Sequence, residues 1–387
     1  MSKYLFIINV FFYTNQSGAK YNILVSYIVS SFMEKSIYDL DISITDIGSD
    51  FIDEKINIEL SMTLNHKKIH FGHLGCWGLD GCAESGEFRK VIDNQLTDNL
   101  DFNIITGDNV YMNNTYDKNI LDGGIDCLNN LNFPSYAILG NHDVLQCNIM
   151  YDQIDKTRMK LSKGKLTVDT ENSKWIMPHN YYNLLVKSKN TNAEFIFIDT
   201  NLFNDYAEDC YTHLQNKKSI SRKQKLHKML TWLDKTIEKS SANNIILVGH
   251  VYLFGYMRPE DMYGNTDQKQ SDKIVKLMHV EKLLHILNKY CKNRKLYYMC
   301  SDIHNYQYIR FTGDNMFLGL NIDIIIAGIG GGVPDPLPKS PIGRTDKIKI
   351  GDTVVGEIEL LDFDIPYGYM HHVISGSEIK TYYVKNQ

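Results

Sequence analysis

The apolar residues of this chain fall mainly into short, nearly continuous runs closed by glycine or polar turns, at residues 103–106, 136–139, 195–198, 244–248, 297–300 and 324–327. Runs of this length, too short for a helix and without alternation, predict strands buried on both faces. Two longer stretches carry helical spacing instead. One is Arg222–Lys239; the other spans 271–290, with Ile274, Leu277, Val280, Leu283, Leu284 and Leu287 on one face. Strands and helices alternate along the chain, which predicts an α/β fold. The segments 368–373 and 380–384 predict a terminal hairpin, in which the adjacent His371 and His372 face opposite sides of one strand.

The first 65 residues admit two readings. Lys3, the apolar run 5–12 and the small residues Ser17, Gly18 and Ala19 have the order of a signal peptide. The same run also opens a series that continues past the would-be cleavage point: an amphipathic stretch at 21–34, then strand-like segments at 41–44 and 56–60. That continuity favours a small β-α-β-β unit packed on a main domain, with residues 1–65 as the extension and 66–387 as the domain. The compartment follows the reading taken. A structural extension goes with an intracellular protein, a signal peptide with a secretory one. No apolar segment has the length of a membrane span.

At 387 residues and 43% hydrophobic content the chain can bury a large core. Its net charge of −5, without long charge runs, leaves no footprint for nucleic acid. The seven cysteines have neither C-x-x-C nor zinc-ribbon spacing, so no disulfide framework is expected. Asn15-Gln16-Ser17 and Asn113-Asn114-Thr115 match glycosylation acceptors, a match that arises by chance in an Asn-rich chain.

The chemistry is concentrated where strands end. Residues 103–106 run into Gly107-Asp108-Asn109-Val110-Tyr111, and residues 136–139 into Gly140-Asn141-His142-Asp143. Two parallel strands ending side by side can share a pair of cations: Asp108 as a bridging carboxylate, with an amide oxygen and imidazoles completing each shell. Tyr111 can offer a phenolate to a hard ion. His142 can protonate a leaving alkoxide, with Asp143 orienting it. Two further strands end in histidine, at His250 and at Ser301-Asp302-Ile303-His304-Asn305. Singly, each of these is ordinary punctuation after a strand; the ordered set points to a dinuclear metal centre.

On these motifs the chain resembles the calcineurin-like metallophosphoesterase superfamily and, through the tyrosine of Gly-Asp-Asn-Val-Tyr, the short tartrate-resistant type of purple acid phosphatase. Pro178-His179-Asn180-Tyr181-Tyr182, the strand at 195–198 with Asp199 and Thr200, and Trp232-Leu233 also look like their family counterparts, so the resemblance runs from about Lys67 to the C-terminus. It implies a four-layer α-β-β-α sandwich with the N-terminal segment as an α/β extension. It further implies two metal ions, iron paired with iron, zinc or manganese, that hydrolyse phosphate monoesters through a metal-bound water or hydroxide. A phosphorylated small molecule or phosphopeptide would be the partner. Residue by residue, one metal would be held by Cys76, Asp108, Tyr111 and His304, the other by Asp108, Asn141, His250 and Asp302, with His142 and Asp143 as the catalytic pair.

Two of these positions depart from the family pattern. Gly75-Cys76-Trp77-Gly78 places cysteine where the family has its first metal-binding aspartate. Ser301-Asp302-Ile303-His304-Asn305 places aspartate where it has a histidine. A further histidine expected soon after His250 has no counterpart in 251–256. Thiolate for carboxylate keeps the anionic donor count, whereas aspartate for imidazole adds one charge and lowers Lewis acidity on that side. Both replacements remain able to bind metal, and both also fit a non-ligating reading: Cys76 as a small buried residue, Asp302 as a turn residue. The alternative function is accordingly a catalytically impaired phosphatase fold that binds phospho-ligands or a protein.

Overall fold

The computed structural model describes residues 59–386 apart from 80, 112–117, 146, 163–164, 169–172, 205–220, 258–272, 293, 337–340 and 366. Before residue 59 it describes only the strands Leu5–Asn9, Leu24–Ile28 and Leu40–Ser43.

Two mixed sheets face each other. The smaller has six strands in the order Trp175–Ile176, Ser135–Ala137, Phe102–Ile105, Ile69–Leu74, Gly368–Ser375 and Glu378–Lys385. Its first four strands run parallel, and the terminal hairpin adds antiparallel to Ile69–Leu74. The larger sheet has nine strands, with Asn192–Phe197, Asn244–Val248, Leu296–Cys300 and Asn321–Ala327 parallel at its centre. Side chains of both sheets interleave between them, among them Phe71, Phe102 and Phe195, whose rings meet edge to face or stacked. This apolar layer makes the central strands hydrophobic on both faces and explains why their sequences read as continuous runs.

Crossover helices supply the outer layers. Glu87–Thr97 and Lys118–Asn129 connect successive strands of the six-stranded sheet, and Arg222–Lys239 and Val280–Cys291 do so in the larger one. Arg222–Lys239 starts where its sequence dictates: Ser221 accepts from the Gln224 backbone while the Gln224 side chain accepts from Ser221, a reciprocal cap. The result is the four-layer α-β-β-α sandwich that the motifs imply.

Several expectations are corrected. The helix predicted over 271–290 begins only at Val280, because Lys273–Lys276 forms a strand antiparallel to Phe254–Met257 and His279 adopts a left-handed conformation that separates the two elements. The β-branched pair Ile274 and Val275 favours that strand. The segment read as amphipathic at 21–34 contains the strand Leu24–Ile28, paired antiparallel with Leu5–Asn9. Glu59–Thr63, assigned to the extension, hydrogen-bonds in parallel to Tyr182–Lys187 at the edge of the nine-stranded sheet, so that sheet begins ahead of residue 66. Leu40–Ser43 pairs with Arg158–Ser162 of a hairpin in the main domain. The rest of the first 58 residues, the sequon at Asn15 and the sequon at Asn113 lie outside the described residues. No helix among the described residues is long and apolar enough to cross a membrane.

Among the described residues one disulfide is present. Cys82 and Cys127, 45 residues apart in sequence, are bonded, whereas Cys76, Cys291 and Cys300 are free and buried. It joins the loop after Ile69–Leu74 to the helix after Phe102–Ile105, a pairing that spacing alone does not reveal.

Candidate metal centre

Every residue expected at the site follows the C-terminal end of a parallel strand, where open α/β sheets place their ligands. The smaller sheet delivers Cys76, Asp108, Tyr111, Asn141 and His142, and the larger delivers His250, Asp302 and His304. All of them converge. The side-chain donors of Cys76, Asp108 and His304 lie within 4.8 Å of one another, and the Tyr111 hydroxyl is 2.8 Å from His304 Nε2. On the other side His250 Nε2 lies 2.8 Å from Asn141 Oδ1, 3.3 Å from Asp108 Oδ1 and 3.4 Å from Asp302 Oδ1. Atoms sharing one cation at about 2.1 Å are separated by roughly 3–3.5 Å. The donors of Cys76, Asp108 and His304 form one group close enough to hold a cation, while Asn141, Asp108 and Asp302 gather around His250 Nε2, and sulfur, oxygen and nitrogen donors of these kinds suit divalent metal ions.

The backbone is bent to achieve this. Cys76, Asp108 and Asp302 have φ of +57°, +54° and +64°, a left-handed conformation unusual for residues other than glycine. Such strain persists where surrounding contacts enforce it, and it gathers at functional sites. Cys76 is held through both of its backbone groups: its N–H donates to the Gly107 carbonyl at 2.9 Å and its carbonyl accepts from Gly332 at 2.7 Å. Gly140 permits the close approach of the two motif loops, since a Cβ there would sit 2.1 Å from the Asp108 nitrogen.

The histidines are aimed from behind. His250 Nδ1 lies 2.7 Å from the Thr106 carbonyl, and His304 Nδ1 2.7 Å from that of Val333. A carbonyl can only accept, so each Nδ1 carries a proton and each Nε2 is the nitrogen turned toward the site, where it becomes a donor atom for a cation once it holds no proton of its own. Burial alone would lower the His250 pKa, but the carboxylates of Asp108 and Asp302 outweigh it and raise it to about 10. Burial, reinforced by Asp108, pushes the Cys76 thiol up to about 12. Burial, with Cys76 and Asp108 beside it, raises the Tyr111 hydroxyl well above its usual range. Without cations the cluster thus holds onto protons that compete with metal binding.

Asp143 does not orient His142. Its buried carboxylate accepts from the backbone N–H groups of Gly140, Asn109 and Val110 and from the side-chain amides of Asn109 and Gln153. It fastens the Asp108 loop to the Asn141 loop, and its pKa is raised, to about 7, by burial and by Asp108 against the pull of those donors. The His142 ring instead lies 4.5 Å from the Tyr111 ring, half-buried, with its backbone N–H donating to Asp108 Oδ1 at 3.0 Å. The sequence gives no sign of the backbone acceptors Thr106 and Val333. The role of Asn109, which accepts from Trp77 Nε1 and donates to Asp143, is equally silent there.

The family model for calcineurin-like phosphoesterases matches residues 69–328, the span that carries every one of these residues. The chain belongs to the calcineurin-like phosphoesterase family. No curated protein matches it. Among solved structures, this family member is similar to GAP50, described as the anchor in the inner membrane complex of Plasmodium, at 19% identity and a TM-score of 0.50, over 83% of this chain and 85% of that one. It is also similar to PhoD at 12% identity and a TM-score of 0.46, over 82% and 66% of the two chains. A 5'-nucleotidase from Candida albicans follows at 12% and 0.36, over 70% and 46%. At such identities the GAP50 likeness speaks to the fold, and the ligand geometry is what bears on chemistry.

Proposed function

We propose that this calcineurin-like phosphoesterase hydrolyses phosphate monoesters at the centre formed by Cys76, Asp108, Tyr111, Asn141, His250, Asp302 and His304. The observation that supports this reading is the convergence on Asp108 of the Cys76 and His304 donors from one side and of His250, with Asn141 and Asp302 around it, from the other. Cations held there would polarise the ester and activate water for attack on phosphorus. The chain's own contribution is positional. Asp108 holds the two sides in register, Thr106 and Val333 fix the imidazoles, and His142, half-buried beside Tyr111, can donate a proton to the departing alkoxide.

A second reading has a specific observation behind it. Asp302 puts a carboxylate where the resembled phosphatases have a neutral imidazole, and residues 251–256 contain no histidine to assist the leaving group. Each change weakens catalysis while leaving the other donors in place, as in a scaffold that binds rather than cleaves. The anchor description of GAP50 is compatible with that use of the fold. The disulfide favours maturation in an oxidising compartment, and with it the signal-peptide reading of the N-terminus.

The deciding experiment is turnover of p-nitrophenyl phosphate by the full-length protein, by Asp108→Asn, and by the double variant Cys76→Asp with Asp302→His. Hydrolysis lost in the first variant and raised in the second supports the enzyme. A double variant that binds two equivalents of metal and still does not turn over refutes it in favour of the binding role.

A further inference from the structure

The two replaced ligands differ in kind. Cys76 brings sulfur to a set otherwise made of one carboxylate, one phenol and one imidazole, and Asp302 brings a second carboxylate to a set of one carboxylate, one amide oxygen and one imidazole. Building on the two-cation reading above, we infer that the centre sorts its cations: the Cys76 side takes a thiophilic divalent ion of the zinc type, and the Asp302 side a harder, oxygen-preferring divalent ion such as manganese.

The surroundings of Cys76 separate a ligand from a filler. A buried cysteine that serves as a small hydrophobe sits among apolar side chains. Cys76 is fully buried, yet it lies outside both apolar clusters of the core, whereas the buried cysteines Cys291 and Cys300 belong to one of them. Its side-chain direction is set by a left-handed backbone pinned at both its N–H and its carbonyl, and the sulfur lies within 4.8 Å of the Asp108 and His304 donors. Thiolate donors select zinc-like ions and disfavour hard trivalent ones, so a ferric ion beside Tyr111 is the wrong partner for this set. On the other side three of the four donors are oxygens. Asp302 repeats the left-handed conformation of Asp108 with its carboxylate 3.4 Å from His250 Nε2, which is the position of a ligand and not of a solvated turn residue. Carboxylate and carbonyl oxygens suit manganese and magnesium. The added negative charge on this side compensates a divalent ion without the help of a phenolate.

The test is spectroscopic and needs no turnover. Metal-free full-length protein is loaded with equimolar cobalt(II), as an optically active stand-in for zinc, and manganese(II). The expected result is one equivalent of each, with a near-ultraviolet thiolate-to-cobalt charge-transfer band and the electron paramagnetic resonance spectrum of protein-bound manganese. Cys76→Asp should abolish the band and weaken cobalt or zinc retention by roughly tenfold or more. Asp302→His should spare the band and release manganese. Circular dichroism of both variants separates lost ligands from lost fold, and Cys76→Ser gives a second, nearly isosteric loss of the thiolate. Two equivalents of metal bound without the charge-transfer band would overturn this inference and leave the two-cation reading standing. Cobalt filling both sides in the presence of manganese would overturn the sorting. Neither ion binding would overturn both readings.

Discussion

The two sides of the centre share Asp108 and differ in almost everything else. The Cys76 side takes three donors from the smaller sheet and one from the larger. The Asn141 side takes two from each. Among the described residues the covalent tie lies on the first side, since Cys82 follows Cys76 in the same loop and Cys127 lies in the helix that follows Asp108 and Tyr111. The second leans on charge: His250 is fully buried between the carboxylates of Asp108 and Asp302. The proposed bridged site is therefore built from halves stabilised by different physics, and each half should fail under a different insult.

Breaking what they share should give the largest effect. Asp108→Asn keeps the size and the tolerance for a left-handed backbone but removes the bridging charge. Both cations should be lost and kcat/KM for an aryl phosphate should drop by about a thousandfold, several kcal/mol of charge stabilisation. Metal analysis beside the kinetics checks it; retention of either ion would mean the halves are independent.

Next in size is the covalent tie. A crosslink closing a loop of this length contributes about 3–4 kcal/mol in the chain-entropy account, so Cys82→Ser should lower the unfolding free energy by about that much in a denaturant titration. The sharper observation is selective. The substitution should loosen the thiophilic ion while the oxygen-rich side keeps its own, and equal loss from both sides would remove the distinction drawn between them.

The sequence was legible where a local pattern dictates structure. The central strands announce themselves because burial on both faces demands continuous apolar runs, and the convergence of the candidate site residues follows because parallel strand ends are where such sheets place their functional groups. Arg222–Lys239 was readable from its periodicity and is started by the Ser221–Gln224 cap. What stayed hidden depends on direction or on distance. Asp143 adjoins His142 in sequence, but the tight turn at His142–Val144 sends its carboxylate into the protein, toward Asn109 and Gln153. Thr106 and Val333 act through carbonyls, which leave no side-chain signal. The helix over 271–290 was extended too far because Ile274 and Leu277 fit its spacing by coincidence while strand pairing with Phe254–Met257 decided their fate.

A smaller effect should separate the halves by pH. In metal-free protein the His250 pKa is raised to about 10, above its unfolded value near 6.5, so the folded state binds the extra proton. The resulting stability is fully present below about pH 6.5 and is lost as pH rises toward 10. The Tm of the metal-free chain should therefore decline across that window. Asp302→His removes one of the two carboxylates and should flatten the decline, whereas Cys76→Ser, on the other side, should leave most of it. Cation binding displaces the same proton, so affinity on the Asn141 side should climb as the Tm of the metal-free chain falls. A Tm flat from pH 6.5 to 10 would mean that His250 is neutral between its two acids.

The smallest expected effect lies one layer behind the Cys76 side. His304 is held by its ring nitrogen on the Val333 carbonyl and by a reciprocal backbone pair with Asp335, whose carboxylate accepts from the His304 N–H at 2.7 Å and whose own N–H donates to the His304 carbonyl at 2.9 Å. Asp335→Ala deletes one of these three bonds and leaves every ligand in place. A hydrogen bond to a charged group is worth about 1.5–3 kcal/mol, with part of that recovered here by solvent at a half-buried position. The stability loss should therefore be about 1 kcal/mol, close to the limit of a denaturant titration. Metal affinity is the more sensitive gauge, because losing a group that orients a ligand weakens binding by roughly tenfold. That weakening should fall on the thiophilic ion alone, since nothing on the Asn141 side rests on the loop at 333–335. Competition between the protein and a chelator, run with cobalt and manganese separately, would resolve it: a shift for cobalt only means that the two sides are supported independently even behind their ligands, and a shift for both means that strain at His304 is passed through Asp108 to the far side.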